Sequence, residues 1–333
     1  MRVKNLNLVV NQKIGSERKI DLTAFALHAA PMRLISNPFR GHGLHTSDLH
    51  GVPLPSVSGG KPQKLLQRCP RADVTPLVDA PSLASACGVE TVSLKDERDR
   101  MGLGSFKALG AAYVIARDAE AGTAAGATYV TASAGNHGMS VAAGASAFGA
   151  RAVIYLSETV PQSFADSLGE LGAEVVRAGE TYEESMQAAH DAAERDDAIL
   201  LSDSSWLGYT ARPLVLMEGY LVLMAEVFAQ MDTAPSHIFL QAGVGALAAS
   251  GIGYYRSLFG DEAPTSVVVE PSHAACLLAS ARSMDGLPHT FPGALDTIMA
   301  GLACGDPSPI AWDVLKACAS VFVSCPDYVA AKG

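Results

Sequence analysis

Residues 104–110 read GSFKALG. Lys107 stands there between Phe106 and a run of small apolar residues. Burying a lysine is costly unless it is paired or neutralised. A Schiff base to a cofactor aldehyde is one way to neutralise it. On its own, Lys107 reads as a surface residue of an amphipathic helix, because a lone lysine is no motif. The flanking chain must decide between the two readings.

Outward from Lys107, short β-branched runs alternate with helical stretches. TVSLKDE (91–97) reads as a strand and its exit loop, and 105–116 as a helix with Ser105 as N-cap. Strands follow at ATYVTAS (127–133), RAVIYL (151–156), AEVVRA (173–178), AILL (198–201), HIFLQ (237–241) and SVVVE (266–270). Helices are expected over 136–148, up to 171, over 181–194, over 213–230 and from Ala246. Repeated βαβ units predict an α/β chain with parallel sheets covered on both faces. Ligands of such sheets bind beyond the carboxyl ends of the strands. Loops that leave a strand and open a helix are therefore the ones to weigh.

Three loops qualify. KDERDRMGLGSFK (95–107) delivers Lys107. TASAGNHGMSVA (131–142) sets Ser133, Gly135, Asn136 and His137 at a helix start, which suits a carboxylate. Asn136 adds an amide able to donate to a phenolic oxygen. His137 reads as a packing or capping residue, with a base as the alternative. QAGVGALAAS (241–250) places Gly243, Val244, Gly245 and Ala246 where backbone can approach a phosphate. A bare G-x-G is weak evidence, and Glu270 keeps a nucleotide-binding oxidoreductase open as a rival. Together the loops offer an amine for an aldehyde, a nest for a carboxylate and a nest for a phosphate. Pyridoxal phosphate needs the first and third, and an amino-acid substrate needs the second.

Composition narrows the field. The 333 residues are 49% hydrophobic and 17% charged, which fits a globular chain of one or two domains. A net charge of −10 argues against nucleic acid or an anionic membrane surface as partner. Six cysteines without C-x-x-C or zinc spacing read as reduced thiols of a cytoplasmic protein. No metal site is expected. His28, His42, His45 and His50 read as solvated loop residues within a Gly/Pro/Ser-rich arm. LTAFALHAA (22–30) is broken by His28 and preceded by Glu17 and Asp21, so an over-long start upstream of Met32 is expected rather than a signal peptide. No apolar run is expected to reach transmembrane length.

The chain resembles the tryptophan-synthase-β-like (fold type II) family of pyridoxal-phosphate enzymes, and within it an ammonia-lyase subgroup. The resemblance runs from about Thr75 to the end. It rests on KDERDRMGLGSFKALG, GNHG, DSSWLGY (203–209), QAGVGALA, VVVEP (267–271) and TIMAGLACGDPSP (297–309). It implies two parallel-sheet domains: an extension and arm over 1–65, a large cofactor domain over 66–127 plus 213–333, and a small domain over 128–212. It implies Lys107 as the Schiff-base lysine and the base at Cα, with a pKa lowered by burial and nearby positive charge. Asn136 becomes the partner of the cofactor's ring oxygen, and Gly243, Val244, Gly245 and Ala246 the phosphate cradle. Ser133, Gly135 and His137 would hold the substrate carboxylate. Asp203 would stand near the leaving amine. The implied reaction is α,β-elimination of 2,3-diaminopropionate to pyruvate and ammonia, in a homodimer.

Two departures qualify this. Ala134, in SAGNHG, stands where the subgroup has an aspartate that serves the D-isomer, so D-isomer activity is not expected. The chain ends at SCPDYVAAKG, where relatives continue into an S-G-E-S-G-like segment near the pyridine nitrogen, so a C-terminally truncated large domain is expected. A serine/threonine dehydratase-type lyase and a non-catalytic truncated paralogue remain the alternatives.

Overall fold

The structure is a computed structural model that describes residues 5–10, 32–41, 49 and 51–332. The four early histidines and residues 22–30 lie outside them. The strands are β1 (Asn5–Val10), β2 (Arg33–Ser36), β3 (Leu77–Asp79), β4 (Thr91–Asp96), β5 (Thr128–Ala132), β6 (Arg151–Leu156), β7 (Glu174–Arg177), β8 (Ile199–Leu200), β9 (His237–Gln241), β10 (Thr265–Pro271) and β11 (Val321–Cys325). The helices are α1 (Gly60–Leu66), α2 (Pro81–Cys87), α3 (Lys107–Glu120), α4 (Asn136–Ala147), α5 (Gln162–Glu170), α6 (Tyr182–Arg195), α7 (Ala211–Gln230), α8 (Ala246–Phe259), α9 (Cys276–Ser283), α10 (Pro309–Cys318) and α11 (Asp327–Lys332).

Two sheets result. One has the order β2-β11-β10-β9-β1-β4-β3, with five parallel inner strands. The other, β7-β6-β5-β8, is parallel throughout. The sheet edges differ from expectation: β2 and β3 run antiparallel to β11 and β4. Both are short, as edge strands commonly are. Residues 32–65, expected to be a loop or wrapping arm, contain β2 and α1. The reason lies in what β2 leads into. The Asn37 amide donates to the carbonyls of Leu315, Lys316 and Ala319 at 3.2, 2.9 and 2.8 Å, closing the end of α10.

The helices begin close to where their caps predict. Thr181 caps α6 in a reciprocal box with Glu184. Ser105 sits one residue earlier than an ideal cap, with its hydroxyl accepting the Lys107 N–H at 3.3 Å. Contrary to expectation, α7 is long and apolar enough to cross a membrane: 20 residues, with an 18-residue stretch of mean hydropathy 1.3. In the fold it is a core helix, with Leu216, Tyr220, Leu221 and Leu223 buried.

Glycines set the spacing between α3 and α7. A Cβ on Gly219 would lie 2.7 Å from the Leu109 carbonyl, and one on Gly110 would lie 2.7 Å from the Tyr220 ring. Close approach lets α7 cover α3 and hold the start of α3 in place. Gly219→Ala should therefore cost about 1–3 kcal/mol, because backbone must move. Gly169→Ala, which meets nothing within 4 Å in α5, should be neutral or stabilise by up to about 1 kcal/mol. Denaturant unfolding of the two variants checks the contrast.

Candidate active site

Three strand ends converge on the cleft between the sheets. After β4 the chain passes Met101, Gly102 and Gly104 with φ of 53°, 73° and 73° and enters α3 at Lys107. Phe106 is buried edge-on against Tyr220 at 5.0 Å, which fixes the helix start. After β5, Gly135 opens α4 in an extended conformation. After β9, Gly245 opens α8 with φ 99°. Neither α4 nor α8 has a side-chain cap, so the N–H groups of their first turns point into the cleft without one.

The lysine is paired. Lys107 Nζ lies 2.7 Å from Asp203 Oδ2, with both side chains about one-fifth exposed (21% and 19%). Burial acts to lower the Lys107 pKa, but the Asp203 carboxylate outweighs it, and the pKa is raised. A lowered pKa was expected, and the counter-charge is the reason for the difference. For Asp203, burial pulls upward, but the Lys107 ammonium holds its carboxyl well below the usual carboxylate range. Both shifts favour the charged pair. Its contribution to stability is full between the unfolded-state values, above about pH 4 and below about pH 10. It is lost as pH falls through the depressed Asp203 pKa, or rises through the raised Lys107 pKa.

Asp203 owes its place to three anchors. His137 is 2% exposed, and its Nε2 lies 2.8 Å from the Leu201 carbonyl, two residues before Asp203. Burial lowers the His137 pKa, so the ring is neutral with Nε2–H donating. That nitrogen is committed to the backbone, which favours a positioning role over the contact with a substrate carboxylate implied by resemblance. The Tyr209 hydroxyl accepts from Ser202 N–H at 3.0 Å and donates to the Leu200 carbonyl at 2.9 Å. Ser205 Oγ meets Ser308 Oγ at 2.7 Å.

Ser308 escaped the sequence reading of single residues. Its N–H donates to the Val244 carbonyl at 2.9 Å, so one serine ties the Asp203 loop to the Gly243–Ala246 turn. Cys304 was missed too. A Cβ on Gly243 would lie 2.7 Å from its sulfur, and burial pushes the thiol up to about 11. The weak signal for both was their place in TIMAGLACGDPSP. Ser133 matters through its carbonyl: a Cβ on Gly138 would lie 2.0 Å from it, so only glycine fits the first turn of α4. Glu270 accepts the N–H groups of Leu277 and Leu278 at 2.7 and 2.8 Å, while burial pushes it up to about 8. Both its oxygens are taken up in capping α9, which removes the support for an oxidoreductase.

Residues 70–333 match the family described as "Pyridoxal-phosphate dependent enzyme". The chain belongs to that family. It is 34% identical to the diaminopropionate ammonia-lyase of Salmonella typhimurium over 310 residues, covering 85% of this chain and 77% of that protein. It is 37% identical to the Escherichia coli enzyme of that name over 278 residues, covering 78% and 69%. The crystal structure of the E. coli enzyme in complex with an aminoacrylate-PLP azomethine reaction intermediate superposes with a TM-score of 0.80 at 33% identity, covering 91% of this chain and 79% of that one. Threonine deaminase isoform 2 of Solanum lycopersicum, at 23% identity and a TM-score of 0.71, shares the fold.

The residues fit the family's cofactor. Gly243 has no room for a side chain, and Gly245 adopts a left-handed φ, so backbone N–H groups there can close on a phosphate. The buried amide of Gln241 and the hydroxyl of Thr131, at the ends of β9 and β5, have no protein partner. Polar capacity thus remains unused at the ligand edge of both sheets. Asp203→Asn should remove the counter-charge and let burial lower the Lys107 pKa. The rate at which absorbance at visible wavelengths appears on mixing with pyridoxal phosphate should then rise at neutral pH, with its pH midpoint moved downward. An unchanged pH profile contradicts the pairing.

Proposed function

We propose that the chain catalyses pyridoxal-phosphate-dependent α,β-elimination of 2,3-diaminopropionate, consuming one water and giving pyruvate and two ammonia. The observation that carries this reading is the Lys107–Asp203 pair at 2.7 Å, its Asp203 loop tied through Ser205 and Ser308 to the Val244 carbonyl of the Gly243–Ala246 turn. Bound cofactor supplies an electron sink that makes the substrate's α-proton acidic.

The chain's residues supply the rest. Lys107 would hold the cofactor through Nζ, and the same nitrogen would take the substrate's α-proton. Asp203, 2.7 Å from Lys107 Nζ, would pass the proton taken there on to the departing β-amine. Gly243, Val244, Gly245 and Ala246 bind phosphate through backbone N–H groups and the start of α8. Asn136 donates to the ring oxygen. Ser133, Gly135 and the first turn of α4 bind the substrate carboxylate, with His137 acting through the Leu201 carbonyl. The same reading takes the chain as a cytoplasmic homodimer acting on a small amino acid. It divides the chain into a small domain over 128–212 and a large one over 66–127 plus 213–333.

Ala134 favours a second reading. It leaves no carboxylate beside Gly135 and matches the dehydratase form of the motif. Pyruvate formation with each amino acid decides between them. The proposal expects turnover of the L-isomer of 2,3-diaminopropionate, at least about tenfold above L-serine or L-threonine in kcat/KM, a preference of about 1.4 kcal/mol. It expects little turnover of the D-isomer until Ala134→Asp supplies a carboxylate. Preferred turnover of L-threonine would establish the dehydratase.

A further inference from the structure

Beneath the lysine loop lies a charged cluster that the chemistry above does not use. Lys95 and Glu97 are 0% exposed, Arg100 1% and Glu226 5%. Arg100 forks onto two carboxylates. It meets Glu97 at 2.8 Å through Nε and 2.7 Å through Nη2, and Glu226 at 2.8 Å through Nη1 and 2.6 Å through Nη2. Its fifth N–H, on Nη1, reaches the Asp73 carbonyl at 3.0 Å, and Nη2 also lies 2.8 Å from the Thr75 hydroxyl. Thr75 in turn donates to Glu97. Lys95 Nζ donates to Glu226 at 2.7 Å, to the Thr75 carbonyl at 2.6 Å and to Gln230 at 3.0 Å. Two cations face two carboxylates, so the cluster is neutral and nearly dry.

Hydrophobic residues of similar volume would serve stability as well or better, since a buried ion pair is weak evidence for stability. What the cluster has that an apolar patch lacks is direction: the planar fork of Arg100 admits one orientation. Arg100 is also the last residue before backbone strain. Met101 follows at φ 53°, left-handed and uncommon for a residue with a side chain, and Gly102 and Gly104 continue in that region. Such strain persists where its surroundings over-determine it. Arg100 is anchored to α7 and to the chain before β3, and Phe106 is anchored to α7 at Tyr220. The strained turn is held at both ends, and its end product is the position of Lys107.

We propose that Lys95, Glu97, Arg100 and Glu226, bridged by Thr75, form a positioning device that sets where the Lys107 amine meets the cofactor. The inference rests on the reading of Lys107 given above. Arg100→Lys keeps the charge and loses the fork. Thr75→Val keeps all four charges and loses one hydroxyl, so it also serves where Arg100→Lys fails to fold. Each is measured with the wild-type holoenzyme for thermal unfolding, cofactor dissociation constant, and visible circular dichroism per bound cofactor. The expected result is a dissociation constant raised at least about tenfold by Arg100→Lys and about threefold by Thr75→Val, with weakened dichroism at temperatures where both variants are folded. A purely structural cluster would lower the unfolding temperature and leave the dissociation constant and dichroism at wild-type values. That result in the folded Thr75→Val protein overturns the proposal. A wild-type chain that takes up no cofactor sinks the reading of Lys107 and this inference with it.

Discussion

A lysine ammonium and an aspartate carboxylate meet at 2.7 Å in a cleft that excludes most water, and each comes from a different sheet. Lys107 opens the helix after β4 of the seven-stranded sheet, and Asp203 follows β8 of the four-stranded one. Neither charge is comfortable alone at that depth. Their meeting requires that both sheets present carboxyl ends to a common cleft. It also requires a bridge between the loops, which Ser308 provides by touching Ser205 and the Val244 carbonyl.

The parallel sheets explain why the chemistry collects there. In each βα unit the strand ends where the helix begins, so uncapped helix starts and strand-end side chains share one edge. Gly135 and Gly245 serve as N-caps without side-chain oxygens, which leaves the first N–H groups of α4 and α8 to a ligand. The family's cofactor carries a phosphate and its substrates carry a carboxylate, and both are anions of the kind such helix starts bind.

Much of this was legible in the chain. RAVIYL and HIFLQ match their strands residue for residue, and α8 begins at Ala246 as read. The two strands are short and mostly apolar, with Ser157 after one and Ser236 before the other, so local pattern and tertiary fold agree. The lysine loop was legible as a loop, but its pairing was not. Lys107 and Asp203 are 96 positions apart. Lys95 and Glu226 are 131 apart, and the run KDERDR looks like a solvated charged stretch until α7 is folded over it. The short edge strands β2 and β3 were hidden for another reason: three or four residues carry too little periodicity to read. His137 reads from the sequence as a packing or capping residue, and its buried ring agrees. It stands in the first turn of α4, and its ring bonds the Leu201 carbonyl, on the backbone that carries Asp203.

The central claim is that Lys107 stands in the cleft because it holds the cofactor. Borohydride reduction of the chain incubated with pyridoxal phosphate, followed by peptide mass mapping, tests it most directly. The account predicts that the visible absorbance band is lost on reduction and that the mass of one cofactor is fixed on the peptide containing Lys107. A folded chain that retains no cofactor mass, or carries it on a different lysine, would contradict the account.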